Sequence, residues 1–534
     1  MIKDFKLKLK ETPRIKLLII VFTIWQYVSI AGMALLGWPV SLVWLNLGLI
    51  LGFILLSPIY ESLLLLILSI PFYVVLPNTQ FDSLSMWRVL FASLFALWLI
   101  RDKKIFTLAG FKEVIYGRKI IFLPWDKYLG YFIILGLIVT LLFGTFKVQG
   151  LKQILFLVNI YLFYIVLINT LKSKIQIFEL IRYVVWALAI IVTLGFTQLF
   201  GTFFTNLDTF WVFWADNITR LYYGDQFATV ALYSNSWFSY VGGRDLRMFS
   251  IMPDSQSFAY VCIFGLCLGT ALTRSVFVYI RKWLWSGIRF AALGLILSGT
   301  RAVWVGMLVP LLAVIIGYAN NIQKHLAKKY LWPFLIIFIL FSISPFINKT
   351  LNYFRVGVFQ ENFLERAKSI YDVNDVSNMG RIAIWQHSGL FALNHPMGVG
   401  FSNFLISLDS ETRLQNYEDI SNEISTRYNL PKKYVSAHNL YLQVLVETGV
   451  MGLIIFLFFW ASVIRCLWHF IKHYEKTEDF LVYFVAQALV MVLWVMASSF
   501  FDITLLNDKV LMFFFIDLGL AGLVIQRYHE YHEE

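Results

Sequence analysis

The sequence predicts an all-α polytopic membrane protein, and three observations carry that prediction. Of its 534 residues, 59% are hydrophobic and 18% aromatic, with a mean hydropathy of +0.72; a soluble chain of this size needs far less apolar surface. Apolar runs of about 20 residues, the length a helix needs to cross a bilayer, recur along the chain, without the two-residue alternation of a membrane β-barrel. Lys and Arg gather between alternate pairs of runs, the pattern that sets orientation in a membrane.

Taken in order, the apolar runs give about 14 spans, near 15–37, 39–57, 60–77, 86–100, 127–146, 151–171, 178–201, 257–274, 283–299, 302–319, 331–347, 450–468, 479–500 and 507–526. Basic residues precede the first span (Lys3 to Lys16). They also follow the fourth (Arg101 to Lys127), sixth (Lys172, Lys174), eighth (Arg274, Arg281, Lys282), tenth (Lys324, Lys328, Lys329) and twelfth (Arg465, Lys472, Lys476). These six segments share one side under this span count, so that side is the cytoplasm and both termini lie there. A net charge of +12 is thereby explained as topology rather than as nucleic-acid binding. Arg289, inside the ninth span, has no evident role.

Five segments follow: residues 1–201 with about seven spans, an external loop at 202–256, central spans at 257–347, a large external loop at 348–449, and C-terminal spans at 450–534. The two loops are long enough to be functional, and their apolar and aromatic content (Trp211, Trp214, Tyr222, Tyr223, Trp237 and Tyr240 in the first) predicts a folded cap. The aromatic faces suit stacking on sugar rings. Cys262, Cys267 and Cys466 lie in or beside apolar runs, so no disulfide framework is expected. The basic start has no small-residue cleavage site behind it, so no cleavable signal is expected.

Chemistry concentrates around Ser436-Ala437-His438-Asn439-Leu440-Tyr441, which leads into the twelfth span. Read as a helix, it starts with Ser436 as N-cap and ends at Gly449, with Asn439, Gln443 and Glu447 in one polar stripe. His438 falls off that stripe, in the first turn, where the helix dipole favours a neutral imidazole able to accept a proton. The same histidine could simply cap or pack a helix start. Arg301, in Ser298-Gly299-Thr300-Arg301, stands at the external end of the ninth span, where a guanidinium either snorkels to the interface or binds a phosphate. Arg381 opens an amphipathic helix with Ile384, Trp385 and Leu393 on or near its apolar side, and Pro396, Gly398 and Gly400 then turn the chain. Arg247 precedes Met248-Phe249-Ser250-Ile251-Met252-Pro253-Asp254 at the entry to the eighth span. It is a third candidate for phosphate or simply loop charge. His395, before Pro396, is expected to pack or cap.

The order of these pieces resembles the O-antigen ligase and O-antigen polymerase family over about residues 245–470. His438-Asn439-x-Tyr441-Leu442-x-x-Leu445-x-Glu447-x-Gly449-x-x-Gly452 is similar to its histidine motif, and Ser298-x-x-Arg301 to its serine-x-x-arginine site. Arg381 and the one-residue-shorter turn Pro396-Met397-Gly398-Val399-Gly400 resemble the arginine helix and glycine turn before it. The resemblance implies a GT-C-like fold in the bacterial cytoplasmic (inner) membrane with its active site on the external face. It further implies transfer of a glycan from a polyprenyl pyrophosphate carrier to a sugar hydroxyl. His438 would be the base, Arg301, Arg381 and Arg247 the pyrophosphate ligands, and Asn439, Gln443, Glu447, Gly398 and Gly400 the supporting positions. One base in a single displacement predicts inversion. No acid pair occupies the first external turn, so no metal and no cofactor are expected. Expected partners are the lipid-linked donor, a glycan acceptor and membrane lipids, with a flippase and a chain-length regulator alongside. A polymerase is preferred to a ligase because the chain offers no added domain for a protein acceptor. A polysaccharide transporter or flippase is the alternative of another class, favoured by inverted repeats or charges deep in several spans, neither of which is seen beyond Arg289.

Overall fold

A computed structural model describes residues 13–77, 84–101, 120–233, 237–239, 245–273, 278–319, 324–343, 346, 363–372, 376–404, 436–474, 477 and 479–533. Each apolar run of the sequence is helical, from Pro13–Leu36 through Asp126–Phe143, Lys147–Thr170, Lys174–Gly201, Ser255–Leu272, Val278–Leu297, Leu440–His473 and Phe480–Ser498 to Asp508–Arg527. Among the described residues seven helices are long and apolar enough to cross a membrane. This is an integral membrane protein built from α-helices.

Not every run is as long as its sequence pattern. The third ends as a helix at Leu68 and continues as a 3-10 turn, Ile70–Phe72, because Pro71 has no N–H to extend the ladder. Ile59–Leu68 is 10 residues, about 15 Å of helix, half a hydrocarbon core. The twelfth run is instead longer, beginning at Leu440 and reaching His473. The first long loop is largely helical (Leu207–Phe213, Arg220–Tyr223, Asp225–Tyr233, with a π turn at Trp214–Thr219) and closes with an antiparallel pair, Phe238–Ser239 against Asp245–Leu246. The second contains Phe363–Lys368 and Val376–Asn394. Tyr240 lies outside the described residues.

Two compact units are distinguished. The first comprises residues 1–121, 159–190 and 212–229, the second 122–158, 191–211 and 230–534. Within the first, helices are tied by polar side chains that would be costly to bury alone: Lys16 bonds Glu179, Tyr60 donates to Glu179 at 3.0 Å, Gln26 to Ser69 at 2.9 Å and Asn46 to Ser29 at 2.8 Å. Within the second, Ser255–Leu272 and Phe480–Ser498 are the inner pillars, each 89% buried over its most apolar window, while Asp126–Phe143 and Leu440–His473 are only 28% buried and leave broad apolar faces outward. A small residue permits the contact of Ser255–Leu272 with Val278–Leu297: a Cβ on Gly269 would lie 3.0 Å from Ile288, the close approach that packs helices in lipid. Cys262 and Cys267 are buried and free, Cys466 half-buried and free. Arg289 is exposed on Val278–Leu297.

Candidate active site

Asn439, not Ser436, caps the helix that leads into the membrane. Its backbone is extended (φ −159°, ψ 117°), and its side chain accepts from the N–H groups of Tyr441 and Leu442 at 2.9 and 3.0 Å, the geometry an N-cap requires. Ser436 Oγ instead accepts from the His438 N–H at 3.3 Å. His438 therefore precedes the helix, in a left-handed conformation (φ 45°) that is uncommon for a side-chain-bearing residue. Its imidazole is still held toward the neutral form, but not by a first-turn dipole. Burial lowers its pKa most, the Asp502 carboxylate opposes by raising it, and the Arg381 guanidinium lowers it further. Nδ1 is buried without a hydrogen-bond partner.

The polar stripe is a brace. Gln443 accepts from the Ala437 N–H at 3.1 Å and donates to Glu447 Oε1 at 2.7 Å, which also accepts from the Ser402 N–H at 3.0 Å. It thereby fastens the residues on either side of 405–435. The helix does not end at Gly449 but breaks there (φ 72°, ψ −176°) and resumes. The Pro396–Gly400 turn fits the break: Val399 donates to Val446 O, Gly400 to Glu447 O and Val450 to Pro396 O, at 3.1, 2.9 and 3.0 Å. Gly398 and Gly400 have φ of 80° and 89°, positions that favour glycine. His395 packs on Phe391, ring centroids 4.5 Å apart.

Arg381 does not open its helix, which starts at Val376. Ile384, Ser388, Phe391 and Ala392 are buried, but Leu393 is exposed, so the inward face includes Ile384 as expected and excludes Leu393. Arg301 is the first residue of Arg301–Gly306. Its Nη1 donates to Ser369 Oγ and O at 2.7 and 3.2 Å, and Asn378 Nδ2 donates to the same Ser369 oxygen at 2.8 Å. Asn378 lies one turn before Arg381, so Ser369 links the two arginine-bearing elements. Arg366, 4% exposed, donates to Gly299 O at 2.7 Å and was not read from the sequence. Arg247 is near the strand pair; its N–H bonds Trp237 O, and Met248 N–H bonds Leu297 O just upstream of Ser298.

The organising element is the short turn Ser499–Asn507, which joins the last two apolar helices. Ser499 O accepts from the Leu440 N–H at 2.8 Å, fixing the helix behind His438. Phe501 packs on Trp385 of the Arg381 helix at 6.2 Å. Asn507 donates to Asp254 Oδ2 at 3.3 Å and to Ser257 Oγ. Asp254 caps Ser255–Leu272, accepting from Ser257 N and Oγ at 2.6 and 2.8 Å. Burial, then the charge of Asp502, push its carboxyl up to about 6, against the hydrogen bonds from Ser257 and Asn507. The helix feeding the turn carries Trp494, whose Nε1 donates to Val303 O at 2.9 Å, anchoring the Arg301 helix. Asp502, 7% exposed, is thus a buried acid acting on both His438 and Asp254. The only sequence signal was an acid in a six-residue gap between apolar runs.

Among the described aromatic residues of the first loop, Trp211 and Trp237 are buried against each other, centroids 5.6 Å apart, and buried Tyr222 donates to Pro71 O. Among the described residues, no three side chains of His, Cys, Asp or Glu form a metal-ligand group. The O-Antigen ligase family model matches residues 287–457, a span that includes Arg301, Arg366, Arg381, the Gly398–Gly400 turn and His438. No curated protein matches the chain.

Proposed function

We propose, from the match of residues 287–457 to the O-Antigen ligase family model, that the chain is an inverting, metal-independent glycan polymerase acting on a polyprenyl-pyrophosphate-linked donor. Glycan transfer of the O-antigen ligase/polymerase type follows from the family. The finer reading rests on one observation: a half-buried histidine, held toward neutrality, stands within electrostatic reach of an arginine and a buried carboxylate.

In the proposed step the acceptor hydroxyl oxygen forms a bond to the anomeric carbon as the bond from that carbon to the pyrophosphate oxygen breaks. His438 takes the hydroxyl proton. The leaving pyrophosphate keeps the bonding electron pair, and Arg381 and Arg301 offset its charge, with Arg247 as a third cation. Asp502 stabilises the imidazolium that forms, while burial and Arg381 keep the resting imidazole neutral and so able to accept a proton. Asn439, Gln443, Glu447, Gly398 and Gly400 hold the loop that carries His438.

The chain is proposed to cross the cytoplasmic membrane of a bacterium with about 14 spans, a GT-C-like arrangement, both termini in the cytoplasm and residues 202–256 and 348–437 forming an external cap. A flippase and a chain-length regulator are its proposed partners. The test is the purified protein in lipid vesicles with a polyprenyl-pyrophosphate oligosaccharide as sole substrate. Lengthening of the lipid-linked chain with inverted anomeric configuration is the expected result. Transfer only when a second, non-pyrophosphate lipid is added would establish ligase-type chemistry, and retained configuration would exclude a single displacement. Vectorial movement of lipid-linked glycan without bond formation would support a flippase.

A further inference from the structure

The Val376–Asn394 helix is amphipathic in an inverted sense. At about 100° per residue, Met379, Ile382, Leu390 and Leu393 fall within one arc of about 80°. They are 45%, 40%, 60% and 76% exposed, and Met397, just past the helix, is 62% exposed. Gln386 shares the arc and Ala383 borders it, so it carries no charge. Arg381 lies on the opposite side, with buried Ser388 and Ala392, while Ile384, Phe391 and Ala392 pack inward, the last two in a cluster with Val399, Phe404, Ala437 and Val446. The helix thus turns its guanidinium toward the site and its aliphatic stripe outward.

The stripe is continuous with a surface that lipid covers. Pro396 O accepts from the Val450 N–H at 3.0 Å, and a Cβ on Gly449 would lie 2.5 Å from the Met397 carbonyl carbon. Met397 therefore abuts the start of the membrane helix, where Val450, Met451, Ile454, Leu457 and Phe458 are exposed along one side.

We propose that the 376–394 helix lies in the outer membrane–water interface, its Met379–Ile382–Leu390–Leu393–Met397 stripe seated on lipid chains and its Arg381 side facing the site. The apolar face of such a helix is buried about 5–10 Å into the headgroup/acyl boundary. Arg381 is thereby held at the level of lipid phosphates, so a lipid-anchored phosphate can meet it without leaving the bilayer. The proposal rests on the chain being a membrane protein, not on the reaction it performs.

The test places a fluorophore at Leu393→Cys, and at Val450→Cys as the intramembrane reference, in the full-length protein with Cys262, Cys267 and Cys466 replaced. The probe is read in phospholipid nanodiscs carrying spin-labelled lipids. The expected result is blue-shifted emission at both positions. Leu393→Cys should be quenched mostly by labels near the headgroup, with little effect of aqueous iodide. A photo-crosslinking amino acid at Leu393 in the chain with its native cysteines gives an independent readout, with phospholipid adducts expected by mass. Iodide quenching, or neither lipid nor iodide quenching, overturns the proposal. So does crosslinking to a second copy of the chain or to another protein in place of lipid.

Discussion

Gly398 and Gly449 meet backbone to backbone: a Cβ on Gly398 would lie 2.5 Å from the Gly449 nitrogen, and one on Gly449 2.5 Å from the Pro396 oxygen. The turn before the 405–435 segment and the break in the membrane helix are therefore a single joint. It sets where the helix behind His438 points. Gly449→Ala adds both a backbone clash and a conformation essentially restricted to glycine, of order 1–3 kcal/mol for the conformation alone. The expected outcome is a lower thermal midpoint in detergent and loss of transfer. Gly389→Ala, where a Cβ meets nothing within 4 Å, should leave both near wild type.

His438→Gln keeps similar volume but cannot carry the proton. Transfer from purified lipid-linked donor should fall about 10²–10⁴-fold, with accumulation and donor binding retained. His395→Gln, a histidine packed on Phe391, should lose far less. Both are measured with chelator present; wild-type activity that disappears under chelator contradicts the metal-free step.

Arg301→Lys and Arg381→Lys retain charge and lose the planar fork. Each should reduce transfer, on the order of 10²-fold if one preorganised donor to the leaving group is lost, while protein still accumulates in the membrane. Normal transfer by both variants would remove the pyrophosphate role. Because Arg301 also bonds Ser369, the Arg301 variant is checked for its melting point alongside its rate.

The pH dependence has a definite sign. His438 must be neutral to act, so activity declines as pH falls through its pKa, which lies below the ordinary 6.5. Asp502 raises that pKa and Arg381 lowers it. Asp502→Asn should therefore move the acid limb of the kcat/KM profile to lower pH, and Arg381→Gln should move it to higher pH, each on top of its rate loss. Shifts in the same direction would contradict the electrostatic arrangement, even if both variants are slow.

Orientation is open to direct labelling. Single cysteines at Asn394 and Lys172, both exposed, should differ in intact cells: an impermeant maleimide reaches Asn394→Cys before lysis and Lys172→Cys only after it. The reverse pattern overturns the external placement of the site.

Helices and motif were legible in the sequence because they are written in near neighbours. A bilayer requires internally satisfied backbone over a fixed length, so apolar runs located the seven long apolar helices found among the described residues, and His438, Arg301, Arg381 and the glycine turn stood out by residue type and order. Positions that depend on distant chain segments were not legible. Ser436 and Asn439 are equally good caps by type; Asn439 prevails because Leu440 is pinned to Ser499 O and Gln443 holds Ala437. Leu393 resembles a core residue until the inward side of its helix is filled by Phe391 and Ala392. Asp502 looks like an ordinary loop acid, and only the packing of Ser499–Asn507 against three other elements buries it beside His438. The sequence by itself determined a helical membrane protein with an ordered set of arginines and one histidine, since hydrophobic length and local backbone chemistry suffice for that. Only the tertiary structure decided which acid acts on that histidine, because burial and charge proximity arise when residues 254, 381, 438 and 502, remote in the chain, are packed together.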